Sequence, residues 1–288
     1  MWHSIIGILI SIGSLVGLSI LMAGWDYHRV GHVQHWWQPK LAQYTTTPTL
    51  FIHGYRGNRY SFGHLLGRLQ KMGLAKKTLV VKVSKRGELT FSGLSRLSAV
   101  NPTIQVLFAN NHADVQVQVG WLQQIVATLQ ADYDVEAVNL VGHSMGAITV
   151  LRYLLVPQVI PVQQVILMAA PVNDPSIGPD TDRVFWSELT QRGPIRKTKN
   201  YQYLAQRVTQ FPPDLAILNI AGELLGTNRH DGSVAVDSSF ALRSLLKDRV
   251  TAYQEMLVRG PGGAHSMLHE NRLVDQAICD FLWTRHGE

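Results

Sequence analysis

Gly142-His143-Ser144-Met145-Gly146 sets one hydroxyl between two glycines, in the pattern G-x-S-x-G. The apolar run "VEAVNLVG" (135–142) leads into it, and "AITVLRYLLV" leads out with helical spacing. A serine at a tight turn from strand to helix is a nucleophile elbow, and its chemistry is acyl transfer. Such a turn holds the serine at strained backbone angles. Side chains at the flanking glycine positions would collide with the neighbouring strand and helix. The helix start adds a positive dipole end beside any oxyanion that forms.

A serine hydroxyl attacks poorly until a base takes its proton. Where this elbow occurs, the chain order is Ser, then Asp or Glu, then His. The chain has 12 histidines, so position must choose among them. His265 stands in "VRGPGGAHSMLHEN", a Gly-rich loop after the last expected strand, and is the candidate base. His269 is the rival; nearer the final helix, it reads as packed or solvated. The segment "ELLGTNRHDGSVAVDSS" offers Glu223, Asp231 and Asp237 as the acid. Asp231 heads an Asp-Gly turn and is the choice, since a carboxylate there could hold the imidazole tautomer. Glu223 is the nearest alternative, and Asp237 reads as an N-cap. The N–H groups of Met145 and of Tyr55, in "HGYRGNRYS", are the expected oxyanion donors. His53, Gly54 and His143 are expected to touch substrate. Phe185 and Trp186 are expected to wall an acyl pocket from a lid within 172–210. This chemistry calls for no metal and no organic cofactor.

The elements that position these residues alternate along the chain. Strand-like runs are "TLFIHG" (49–54), "TLVVKVS" (78–84), "TIQVLFAN" (103–110) and "VQQVILMAAP" (162–171), with "DLAILNIAG" (214–222) and "VTAYQEMLV" (250–258) further on. "ELTFSG" reads as a short β excursion. Helical spacing marks "SFGHLLGRLQKMG", "DVQVQVGWLQQIVATLQADY" with Asp114 as N-cap, "SFALRSLL" (239–246) and "ENRLVDQAICDFLWTRH". Strands alternating with helices imply right-handed crossovers and a mostly parallel sheet covered on both faces. Ligands in such sheets sit beyond the carboxyl ends of the strands, where every candidate above falls.

Composition bounds the alternatives. The 288 residues are 46% hydrophobic and 16% charged, enough for a large core. The net charge of +6 is spread out, with its densest groupings at "LAKKTLVVKVSKRGE" and "RGPIRKTKN". Neither has the interleaved aromatics of a single-strand binder, so no nucleic-acid partner is expected. One cysteine, Cys279, permits no disulfide within the chain and reads as a buried small hydrophobe.

Residues 5–25, "IIGILISIGSLVGLSILMAGW", carry no charge. At about 1.5 Å per residue they reach across a hydrocarbon core of roughly 30 Å. The segment 1–25 is read as an uncleaved signal-anchor, followed by a linker at 26–46 and a catalytic domain at 47–288. Trp36 and Trp37 suit interfacial anchors. The domain is expected outside the membrane, or secreted if the segment is cleaved.

The ordered set "FIHGYRGNRYSF", "NPTIQVLFANN", "VNLVGHSMG", "AAPVND", "HDGSV" and "GAHSMLHEN" resembles the α/β-hydrolase superfamily. Within it the chain is similar to uncharacterised, predicted cell-surface hydrolases of Gram-positive bacteria. The resemblance implies an α/β-hydrolase fold, a Ser144-Asp231-His265 triad and lipase- or esterase-like chemistry; it brings no established substrate, and a small-molecule or lipid ester is the expectation. The readings kept beside it are an acyltransferase, thioesterase or peptidase with the same triad, and a non-catalytic surface-tethered binding module.

Overall fold

The structure is a computed structural model that describes residues 43–94, 97, 100–178, 184–224 and 229–284. Ten strands occur among them: β1 Thr49–Ile52, β2 Lys76–Val83, β3 Leu89–Gly93, β4 Pro102–Phe108, β5 Val138–His143, β6 Val162–Met168, β7 Leu189–Thr190, β8 Gly193–Pro194, β9 Ala216–Glu223 and β10 Ala252–Arg259. β7 and β8 form a separate antiparallel hairpin. The other eight make one sheet in the order β3-β2-β4-β1-β5-β6-β9-β10. Every pairing in it is parallel except that of β3 with β2.

The helices are α1 Arg59–Lys71, α2 Val115–Tyr133, α3 Met145–Tyr153, α4 Lys199–Ala205, α5 Val236–Phe240, α6 Arg243–Leu246 and α7 Arg272–Trp283. α1 starts in a capping box, in which Asn58 accepts from the Tyr60 N–H and Ser61 accepts from the Asn58 N–H. Asp114 caps α2 as its sequence predicts, accepting from the Gln116 N–H at 2.7 Å.

β1 shows why these strands read as unbroken apolar runs. All four of its residues are buried, as they must be when helices cover both faces of a parallel sheet. Successive side chains point to opposite faces. Leu50 and Ile52 join a core with Leu122 and Ile125 of α2 and Ile148 of α3. Phe51 points the other way and meets Phe62 of α1, ring centroids 5.3 Å apart. Each such side chain withdrawn from water contributes about 1.5–3 kcal/mol.

The chain order reverses between β1 and β5: the sheet grows through β2, β3 and β4 on one side, then through β5, β6, β9 and β10 on the other. A crevice opens at such a switch point, at the carboxyl ends of the strands. The loops after β1 and β5 meet there.

Three expectations are revised. The stretch 172–210 is more regular than its sequence suggests, holding the β7–β8 hairpin and α4 with buried Tyr201 and Leu204. Within it, the Asn173 side chain donates to the Arg196 carbonyl and accepts from the Thr198 N–H, and the Asn173 N–H donates to Ser238 Oγ outside the stretch. The helix expected over 239–246 is two short pieces, α5 and α6. The end of the expected linker belongs to the domain: the Gln43 N–H donates to the Trp283 carbonyl, and the Thr45 N–H to Asn101 Oδ1 at 2.8 Å.

Among the described residues no helix is long and apolar enough to cross a membrane. The anchor read in 1–25 and most of the linker after it lie outside the described residues. Cys279 is buried in α7, and burial pushes its thiol pKa well above the usual value.

Candidate active site

Ser144 links the last residue of β5 to the first of α3, with φ 53° and ψ −123°. That is a region L side chains avoid, and holding one there costs about 1–3 kcal/mol. The flanking glycines are required by contact. A Cβ on Gly142 would lie 2.6 Å from the Ala147 Cα, and one on Gly146 would lie 2.3 Å from the Ile52 carbonyl oxygen. The Ser144 N–H donates to the Met168 carbonyl at 2.8 Å, which fixes the turn to β6.

His265 comes from the loop after β10 and begins a 3-10 turn, His265–Glu270. Its Nδ1 lies 2.7 Å from Asp231 Oδ2, and its Nε2 lies 3.0 Å from Ser144 Oγ. A carboxylate only accepts, so Nδ1 carries the proton and Nε2 of the neutral ring is left to accept from the serine hydroxyl. Asp231 is almost fully buried, and its other oxygen accepts from the N–H groups of Ser233 and Val234 at 2.8 and 2.7 Å. The Asp-Gly turn thus serves as a cradle for the carboxylate. Its backbone carbonyl also accepts from the His265 N–H at 2.8 Å, so the two loops are joined twice.

The other two acid candidates lie elsewhere. Glu223, at the end of β9, pairs with Arg259. Asp237 sits in the first turn of α5 and pairs with Arg229; Ala235, not Asp237, holds the N-cap position. His269 is packed, its ring edge-on to His143 with centroids 5.1 Å apart and its Nδ1 3.3 Å from Glu270.

A cavity of about 660 Å³ opens over Ser144 and is lined by Gly54, Tyr55, His143 and His265 among others. The N–H groups of Tyr55 and Met145 have no acceptor within the protein among the described residues. His143 meets the cavity, but its ring is buried. Burial, then the charges of His265 and His269, holds its pKa well below the usual value, so it is neutral.

His53 does not reach the cavity. It lies beneath the loop after β1, where Nδ1–H donates to the Gly54 carbonyl at 2.8 Å and Nε2 accepts from the Phe108 N–H at 3.1 Å. Both nitrogens are occupied and burial lowers its pKa, so it supports the loop rather than touching substrate. Phe185 and Trp186 do not line the cavity either. Arg196 donates to the Trp186 carbonyl and lies over the Phe185 ring at 4.9 Å. Trp186 lines a separate depression with Ile195, Arg229 and Asp237. Among the described residues, no wall of large apolar side chains therefore stands where the sequence placed one.

Asp174 was missed. It follows β6 in "AAPVND", is 7% exposed and lines the Ser144 cavity. Its place past the carboxyl end of a strand is the signal that could have found it.

A mostly parallel eight-stranded sheet with a serine elbow at its switch point defines an α/β-hydrolase. The chain belongs to the family described as "Alpha/beta hydrolase of unknown function (DUF915)", whose model matches residues 37–285. It is similar to a solved gene product of Listeria innocua, with a TM-score of 0.73 and 27% identity over 82% of this chain and 93% of that one. A proposed cell-surface hydrolase of Lactobacillus plantarum has a TM-score of 0.65 and 23% identity, over 82% of this chain and 91% of that one. A Bacillus licheniformis lipase shares the fold at a TM-score of 0.50 and 13% identity, over 85% and 94% of the two chains. No curated protein matches the chain.

Proposed function

We propose that this protein is a serine hydrolase of carboxylic esters, with Ser144 as nucleophile, His265 as base and Asp231 as the acid behind it. The observation that carries the reading is the unbroken chain from Ser144 Oγ to His265 Nε2 at 3.0 Å and from His265 Nδ1 to Asp231 at 2.7 Å. In the reaction, the Ser144 proton passes to His265 Nε2 as Oγ attacks the ester carbonyl. The N–H groups of Met145 and Tyr55 receive the oxyanion; one such donor is worth about 2.7–4 kcal/mol of barrier. His265 returns the proton to the leaving alcohol, and the acyl group stays on Ser144. Water, deprotonated by the same ring, then releases the acid. Asp231 holds the tautomer and stabilises the imidazolium.

The anchor read in 1–25 would hold this domain at the outer face of a membrane, in keeping with the description of the Lactobacillus relative. The test is labelling by a fluorophosphonate probe. The wild-type protein is expected to be labelled and Ser144→Ala is not. A folded wild type that stays unlabelled refutes an activated nucleophile.

A further inference from the structure

A pocket for a long acyl chain needs a wall of apolar side chains, because each methylene gains only by leaving water for such a wall. The cavity over Ser144 has none among the described residues. Leu, Ile, Met, Phe and Trp do not line it; Pro171 and Val234 are its aliphatic surface, with two tyrosines. Asn58, Ser61, Asp174, Ser176 and Ser233 line it instead. Such a lining offers hydrogen-bond partners to hydroxyl groups and few large apolar side chains to a hydrocarbon tail.

Asp174 is the strongest polar group in it. Its Oδ2 accepts from the Ser238 hydroxyl at 2.6 Å, and Ser238 Oγ in turn accepts from the Asn173 N–H at 3.1 Å. The carboxylate is thereby held in one orientation. Its Oδ1 has no partner among the described residues, although the residue is 7% exposed. That oxygen is not fully buried, so water can occupy the position and a substrate hydroxyl can take the water's place. Burial raises the Asp174 carboxyl pKa to about 6, so at neutral pH it is ionised and can only accept.

We propose that the cavity takes esters of short acids with hydroxyl-bearing alcohols, and that Asp174 Oδ1 accepts a hydrogen bond from a substrate hydroxyl. The inference rests on the ester-hydrolase reading and narrows its substrate class. Chain length and alcohol are selected separately: the scarcity of large apolar side chains among the described lining residues disfavours long acyl groups, and Asp174 with its hydroxyl neighbours favours a polyol over a plain alcohol.

The experiment compares kcat/KM of the full chain on p-nitrophenyl esters from acetyl to decanoyl. It then compares three acetates: glycerol monoacetate, ethyl acetate and acetylcholine. Acetyl is expected to exceed decanoyl by at least 10-fold, and glycerol monoacetate to exceed ethyl acetate by at least 10-fold. Asp174→Asn and Asp174→Ser are each expected to cut the glycerol-to-ethyl ratio about 10-fold. A ratio is read because a merely structural defect lowers both rates together. Preference for decanoyl, or for acetylcholine over glycerol monoacetate, overturns the proposal while leaving the hydrolase reading in place. So does an unchanged ratio in a folded Asp174 variant. Absence of both fluorophosphonate labelling and hydrolysis of every ester overturns the two together.

Discussion

His143 Nε2 donates to the backbone carbonyl of His265 at 2.9 Å. The elbow that carries Ser144 therefore also grips the loop that carries His265. Because a carbonyl only accepts, the proton is on Nε2, and burial keeps the ring neutral. His143→Ala removes the donor and strands a carbonyl, a loss of about 1–3 kcal/mol. If that loss falls on the placement of His265, kcat for p-nitrophenyl acetate drops about 10–100-fold with KM little changed. His143→Gln retains an N–H donor and is expected to recover part of kcat. Steady-state kinetics of the two variants decide the matter; wild-type kcat in His143→Ala would end it.

Asp231→Asn tests the acid with little change of shape. The amide oxygen can keep the N–H groups of Ser233 and Val234. Its NH2 then faces Nδ1, which must accept, so Nε2 carries a proton toward Ser144. A base in the wrong tautomer is expected to lower kcat by about 10⁴-fold. Circular dichroism should show the fold intact. Activity within 10-fold of wild type would shift the acid role away from Asp231.

Much of this arrangement was legible because its causes are local. Gly142 and Gly146 are sterically required, and Asp114 caps the N–H beside it. The buried runs of β1 and β5 betray a sheet covered on both faces. The approach of residues 144, 231 and 265 followed from loops at the carboxyl ends of successive strands. What escaped depends on contacts distant in sequence. Trp186 looked like a pocket wall by composition, yet Arg196 ties its carbonyl away from the site. Asp174 received no role from the sequence, because the partner that holds it, Ser238, is 64 positions away. His53 looked like a substrate contact, but it needed Phe108 beside it to become a support.

Backbone strain at Ser144 predicts a trade between stability and chemistry. With φ at 53°, glycine fits the position better than any L residue. Ser144→Gly is expected to exceed Ser144→Ala in stability by about 1 kcal/mol, after allowance for the greater freedom of glycine in the unfolded chain. Both variants lack the hydroxyl. Urea midpoints measure the difference; an alanine variant at least as stable as the glycine one would show that the turn is unstrained.

Arg68 of α1 fastens the opposite flank of the site. Its guanidinium meets Asp275 of α7 twice, at 2.5 and 3.0 Å, and Glu270 at 2.9 Å. It also donates to the His269 carbonyl at 2.8 Å, four residues past His265. Asp275 is fully buried. Removing Arg68 leaves the Asp275 carboxylate buried without its ion-pair partner, so Arg68→Ala is expected to cost about 3–5 kcal/mol. Replacing both, as in Arg68→Met with Asp275→Leu, should restore most of that stability. Denaturant unfolding of the single and double variants tests this; an Arg68→Ala loss under 1 kcal/mol would mean the cluster is only a surface pair.

Asp174 makes stability fall as pH rises, opposite in sign to a salt-bridged carboxylate. Burial, with the charge of Asp231 adding to it and the Ser238 bond and His265 opposing it, lifts its pKa from 3.8 to about 6. The native state therefore holds this proton more tightly than the unfolded chain does. The resulting stabilisation is fully present below pH 3.8 and is lost as pH rises through 6. A shift of this size is worth about 3 kcal/mol in all. Glu270 acts in the other direction and over a lower window. Burial raises its pKa, but hydrogen bonds from His269 and Arg68 outweigh that and set it to about 2, so its contribution is lost only as pH falls below the usual glutamate range. Asp174→Asn has no proton to lose. The stability of wild type relative to this variant should therefore drop by up to about 3 kcal/mol between pH 3.5 and 7. Urea unfolding of both proteins across that range gives the curve directly. A flat difference would mean that Asp174 ionises as readily in the fold as in the open chain, and that its second oxygen is already satisfied by water.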